Sequence, residues 1–120
     1  MTTITRFESG ARMSQAVTYG DMVYLAGQVA GTVVGAGVTA QTQEILAEID
    51  RLLAQAGSDK TRILSTTIYL ADIATFAEMN AAWDAWVSKE NPPARATVEA
   101  KLAAPEYLVE IVVVAVKRPA

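Results

Sequence analysis

Short apolar runs of strand character open the chain, at Thr3–Phe7 and at Gln15–Tyr19. A Gly20-Asp21 turn signal follows, and Met22–Val29, rich in Val, Tyr and Leu, reads as a third strand. From Val38 the period changes. Val38, Ile45, Ile49, Leu52 and Ala56 recur at helical spacing, with Thr39 placed to cap the helix and Gly57 to stop it. The β-branched segment Arg62–Leu70 predicts a fourth strand. A second helix is expected from about Asp72, because Ile73, Phe76, Asn80, Trp83 and Val87 step along one face. Asn91-Pro92-Pro93 should end it, since proline has no amide donor and restricts the residue before it. Arg95–Leu102 and Leu108–Lys117 close the chain as two strands joined by a turn through Pro105.

The order β-β-β-α-β-α-β-β predicts an α+β fold, a mixed sheet with two helices on one face. The last strand, LVEIVVVAV, is apolar at odd and even positions alike, so both its faces should be buried. Two helices cover one face only. A partner subunit is expected on the other, which makes the protein an obligate oligomer.

With 120 residues, the chain fits one domain, 1–120, large enough for a core of its own. Hydrophobic residues make up 52% and charged residues 19%, against a common charged share of about 25%. Two zeros narrow the chemistry more than these averages. Without Cys there is no thiol nucleophile, disulfide or thiolate metal site, and without His no imidazole base, Ser-His-Asp triad or His-ligated metal. Carboxylates, Arg, Lys, hydroxyls and backbone groups remain. The net charge is −3, and the basic residues are scattered apart from Lys117-Arg118, a pattern that does not point to nucleic acid. The N-terminal segment MTTITRFESGARMSQ lacks the charged and apolar regions of a signal peptide. Met22–Gln43 is uncharged but too rich in Gly and Gln for a lipid-facing helix. A cytoplasmic protein is expected.

Three features are candidates for chemistry. GAGVTA (Gly35–Ala40) matches a loose dinucleotide fingerprint, yet little strand precedes it, and a glycine loop entering a helix accounts for it as well. Asn80 is a polar residue on an apolar helical stripe, there either to satisfy nearby backbone or to position a neighbour. Arg95 and Glu110 form the third. Glu110 interrupts the most hydrophobic segment and needs a cation or donor beside it, while Arg95 follows Pro92-Pro93-Ala94 at the start of a strand. They are either a structural ion pair or a functional set in which Arg95 forks a small carboxylate and Glu110 handles a water or proton. Lys101 is read as a solvated edge residue, Trp83 and Trp86 as packing residues. Ser14, Ser65 and Thr66 have no His to activate them.

PPARATVEAKLAAPEYLVEI (Pro92–Ile111) resembles the C-terminal signature of the Rid family, the reactive-intermediate deaminases also called YjgF-like proteins. YLAGQVA around Gly27-Gln28 and FAEMNAAWDAWV around Asn80 extend the likeness over nearly the whole chain. The resemblance implies a chorismate-mutase-like homotrimer with clefts between subunits. It also implies hydrolysis of short-lived imines and enamines, such as 2-iminopropanoate and 2-iminobutanoate, to 2-oxo acids and ammonia, without a cofactor. By the same resemblance Arg95 grips the substrate carboxylate, Glu110 activates water, Asn80 matches the second-helix asparagine and the Thr97 backbone faces the ligand. The sequence departs from the pattern at Thr97, where many members have Cys, at Met13, where a Tyr reaches the cleft, and at Ala26, where Ser is common. Arg12 offers a different contact beside Met13. The alternative is a non-catalytic trimer that binds 2-oxo acids or other small carboxylates. An endoribonuclease or translation-inhibitor role, reported for some relatives, fits the acidic balance less well, and a pathway-specific enamine would keep the fold with another substrate.

Overall fold

The computed structural model describes residues 3–120, and Met1 and Thr2, which begin the segment read for a leader, lie outside the described residues. Strands β1 (Ile4–Phe7), β2 (Ala16–Tyr19) and β3 (Met22–Leu25) form an antiparallel meander. Gly20 supplies the left-handed backbone (φ 59°) of the β2–β3 turn. Helix α1 (Val38–Gln55), β4 (Ile63–Leu70), α2 (Phe76–Trp86), β5 (Ala94–Glu99) and β6 (Val109–Val116) follow, so the expected order of elements holds. The six strands make one mixed sheet in the order β1-β2-β3-β6-β4-β5. β4 and β5 are parallel, joined through α2, whereas β6 runs antiparallel to both β3 and β4. The two closing strands are therefore not neighbours, because β4 lies between them.

Several boundaries move for local reasons. β3 stops at Leu25 instead of Val29. The chain leaves the ladder at Ala26-Gly27 and rejoins it only at Gln28, whose backbone pairs with Ile111 in both directions at 2.9 and 3.0 Å. The N-cap of α1 is Gly37, and Thr39 already lies inside the first turn. Gly57 does end the helix, at φ 83°. Asp72 caps a single 3-10 turn, accepting from the Ala74 amide at 2.9 Å, and α2 proper begins only at Phe76. That helix ends at Val87, whose backbone turns extended well before Pro92, so the proline pair is not what stops it.

Helices α1 and α2 cover one face of the sheet. Ile45, Ile49 and Leu52 of α1 and Met79 and Trp83 of α2 pack there on Ile68, Leu70, Ile111 and Val113. Along β6 burial alternates: Val109, Ile111, Val113 and Ala115 are buried beneath the helices, while Glu110, Val112, Val114 and Val116 look out from the other face. Tyr19, Tyr24 and Val98 share that second face by register and are each about half exposed. The apolar residues that made β6 look doubly buried thus form an uncovered apolar sheet face within the chain. Among the described residues no helix is long and apolar enough to cross a membrane.

Candidate functional site

Arg95 is the second residue of edge strand β5 and is in register with Thr66, whose side chain is buried on the helix-covered face. Arg95 therefore points toward α2. Its Nη1 donates to Asn80 Oδ1 at 2.8 Å, and its guanidinium carbon lies 5.3 Å from the Trp83 ring centre and 5.7 Å from that of Phe76. The helical stripe read as core is thus rotated. Met79, Ala82 and Trp83 are the residues of α2 that bury, Ile73 and Phe76 are exposed, and Phe76, Asn80 and Trp83 together hold one arginine. Aromatic faces favour a cation and leave its in-plane donors free. Among the described residues no carboxylate lies within ion-pair distance of Arg95, so the Arg95–Glu110 bridge considered from the sequence does not form within the chain.

Glu110 is in register with Tyr69 and points to the opposite face. Its carboxylate rests on Gly27, where an added Cβ would stand 2.1 Å from Oε2 and 3.0 Å from Cδ. No side chain fits at position 27 with Glu110 in place. Glu110, Tyr69, Lys101, Leu102 and Val112 line a cavity of about 310 Å³. Gln28, next to Gly27, is buried, and its Nε2 donates to Gln15 Oε1 and to the Ala26 carbonyl, each at 3.0 Å.

The other candidates fall on both sides of this division. Thr97 shares the Arg95 face, in register with Ile68, and its Oγ1 is buried without a hydrogen-bond partner, as is Thr66 Oγ1. Met13 lies in the β1–β2 connection, about half exposed, at the opposite end of the sheet order from β5. Arg12 beside it is exposed, as is Lys101, and Ser14 Oγ is bonded to Ser9 Oγ at 2.8 Å. Trp86 donates to Asp50 Oδ2 at 2.9 Å across the two helices, the packing role expected of it. The GAGVTA loop is entered from a turn, with Gly35 at φ 88° and Gly37 capping α1, so the strand that a dinucleotide fingerprint requires is missing. A larger groove of about 730 Å³ beside Ala71, Glu99, Pro105 and Tyr107 includes neither Arg95 nor Glu110.

In one chain, then, a prepared guanidinium and a seated carboxylate occupy the two faces of one sheet. The chain belongs to the family described as Endoribonuclease L-PSP, whose model matches residues 3–117. It is similar to a RutC family protein of Haemophilus influenzae, with 47% identity over 113 residues covering 94% of this chain and 97% of the relative. The RutC family protein YoaB of Escherichia coli is 44% identical over the same shares of the two chains. Among solved structures, NMB1025 of Neisseria meningitidis, a member of the YjgF protein family, superposes with a TM-score of 0.95 at 47% identity, covering 98% of each chain. The Rid-like, YjgF-like assignment made on Pro92–Ile111 and the α+β fold it implied both hold.

Proposed function

We propose that this protein is a cofactor-independent 2-imino acid deaminase, one domain over residues 1–120, working as a homotrimer in the cytoplasm. The observation that carries the reading is Arg95: a cation held by Asn80, Phe76 and Trp83 with no carboxylate partner among the described residues. An arginine fixed in this way offers two parallel donors to a planar carboxylate, the group common to all 2-imino acids. The opposite placement of Glu110 supports a site completed between subunits, with Arg95 from one chain and Glu110 from its neighbour. The uncovered apolar face that bears Glu110 supports the same arrangement, because such a face calls for a partner.

In this reading Arg95 binds and orients the carboxylate, with Asn80 fixing the guanidinium and the Thr97 backbone and Met13 bordering the substrate. Glu110 takes a proton from water as its oxygen bonds to the carbon of the protonated imine, giving a neutral carbinolamine. It returns that proton to nitrogen and then accepts the hydroxyl proton as the C–N bond breaks, releasing ammonia and leaving the 2-oxo acid. Substrates are small, such as 2-iminopropanoate and 2-iminobutanoate.

Semicarbazide trapping of imines made in situ tests the reading: wild type should outcompete the trap and Arg95→Ala should not. If wild type equals buffer, the reading fails. A second reading, a trimer that only binds 2-oxo acids, is favoured by the exposed thioether of Met13 where a polar contact is expected. Calorimetric binding of 2-oxobutanoate without imine turnover would select it. The endoribonuclease name of the family is tested on the same samples, by RNA cleavage that persists through purification.

A further inference from the structure

The seat of Glu110 is braced from α1. Residues 29–37, which follow Gly27-Gln28, contain neither strand nor helix. Within this loop one backbone bond closes, Ala36 N to Val33 O at 2.9 Å. The amides of Gly31, Thr32 and Val33 turn toward Glu44. Thr32 N donates to both of its carboxylate oxygens, at 3.0 and 3.1 Å, and Val33 N donates at 3.0 Å. Gly31 N and the Thr32 hydroxyl donate to the same carboxylate. Converging donors of this kind suit an ionised carboxylate, which accepts at two oxygens. An amide side chain would turn its own N–H groups against them.

Gln41, nearly one helical turn before Glu44, is fully buried and grips the other flank. Its Nε2 donates to the carbonyls of Ala36 and Glu106, at 2.8 and 2.9 Å, and its Oε1 accepts from Leu108 N at 3.0 Å. One helix thus ties the loop leaving Gly27-Gln28 to the loop entering β6. Glu110 sits where the two flanks meet, its carboxylate on Gly27 and its neighbour Ile111 paired with Gln28.

We propose that Glu44 is a positioning residue for Glu110: by clamping the amides of residues 31–33 it holds the Gly27-Gln28 backbone against which the Glu110 carboxylate lies. The inference rests on the reading of Glu110 as the group that handles water.

The test compares wild type with Glu44→Gln, Glu44→Asp and Thr32→Val in the intact oligomer. It reads kcat and KM on 2-iminobutanoate, and amide hydrogen exchange at Gln28, Gly31, Thr32 and Val33. Glu44→Gln should lower kcat about tenfold with KM unchanged, because Arg95 still grips the carboxylate. Exchange at residues 28 and 31–33 should accelerate while that of Trp83 in α2 stays as in wild type. Glu44→Asp should recover part of both effects, and Thr32→Val should show a smaller effect of the same sign. If Glu44→Gln does not fold, Thr32→Val decides. Unchanged exchange at Gln28, or unchanged kcat with faster exchange, overturns the proposal. A wild type without imine turnover defeats the functional reading instead, and Gln28 exchange then decides alone whether Glu44 holds the seat.

Discussion

Arg95 and Glu110 are carried by the two strands that flank β4, and they point to opposite faces of the sheet. The register fixes this: Arg95 pairs with Thr66, buried on the helix-covered face, while Glu110 pairs with Tyr69 on the face away from the helices. Neighbouring residues on one strand alternate faces, and registered partners share one. The two side chains cannot meet within one sheet, and a site that uses both draws them from two chains.

The planar fork at position 95 matters beyond its charge. Arg95→Lys keeps a cation near Trp83 and Phe76 but gives up the paired donors and the bond to Asn80 Oδ1. Calorimetry with 2-oxobutanoate should show affinity reduced about tenfold to a hundredfold, with thermal stability little changed. Asn80→Ala should weaken binding less, because the two rings still hold the guanidinium.

Gly27 should tolerate nothing larger. Gly27→Ala places a methyl group where Glu110 Oε2 now lies, and the carboxylate must swing away. Stability should change little, because the group that gives way is the far end of a flexible, half-buried side chain. Turnover should fall by about a hundredfold, beyond what the folded fraction explains, since the displaced group is the proposed base. Thermal melts alongside initial rates separate the two effects.

Acid should loosen the loop before it unfolds the core. Donors from Gly31, Thr32 and Val33 lower the Glu44 pKa from its ordinary 4.5 to about 2. A group whose pKa is lower in the folded state contributes stability that is complete above its unfolded value and is lost as pH falls through the folded one. That contribution should therefore decline between about pH 4.5 and 2 and be absent from Glu44→Gln. Glu8 and Glu48, both held below the usual carboxylate range by the Arg51 hydrogen bonds, also lose their contribution on the acid side, and do so in both proteins. Urea melts of the two proteins against pH should converge toward pH 2, and parallel curves would contradict the account.

The uncovered sheet face should govern assembly. Val114 looks out from it between Tyr24 and Ser65. Val114→Lys puts a charge where a partner is proposed to pack. Sedimentation equilibrium should find a smaller species than wild type with secondary structure retained, and imine turnover should be lost with the assembly.

Much of the fold was legible because it rests on local signals. Helical spacing from Val38, Gly57 as a stop and Gly20-Asp21 as a turn each depend on neighbours in sequence. The end of α2 was not legible, because its last turn closes at Val87, and Lys60, distant in sequence, takes the Trp86 carbonyl at 2.7 Å. The stripe Phe76, Asn80, Trp83 was visible, but periodicity cannot say whether a stripe meets a core or a half-buried cation. Whether Arg95 and Glu110 share a face depended on strand order, which placed β4 between strands adjacent in sequence. Gly27 beneath Glu110 and Glu44 beneath the 31–33 amides are contacts between distant segments, and no motif announced them.

Subunit complementation addresses the central claim most directly. Arg95→Ala and Glu110→Gln oligomers, each inactive alone, are dissociated, mixed in equal amounts, reassembled and assayed for imine turnover. A site shared between chains restores intact pairs at the mixed interfaces, about a quarter of all sites in a closed three-fold ring. Recovery toward that level is the predicted result. Mixed oligomers that form but stay as inactive as either parent would contradict the account.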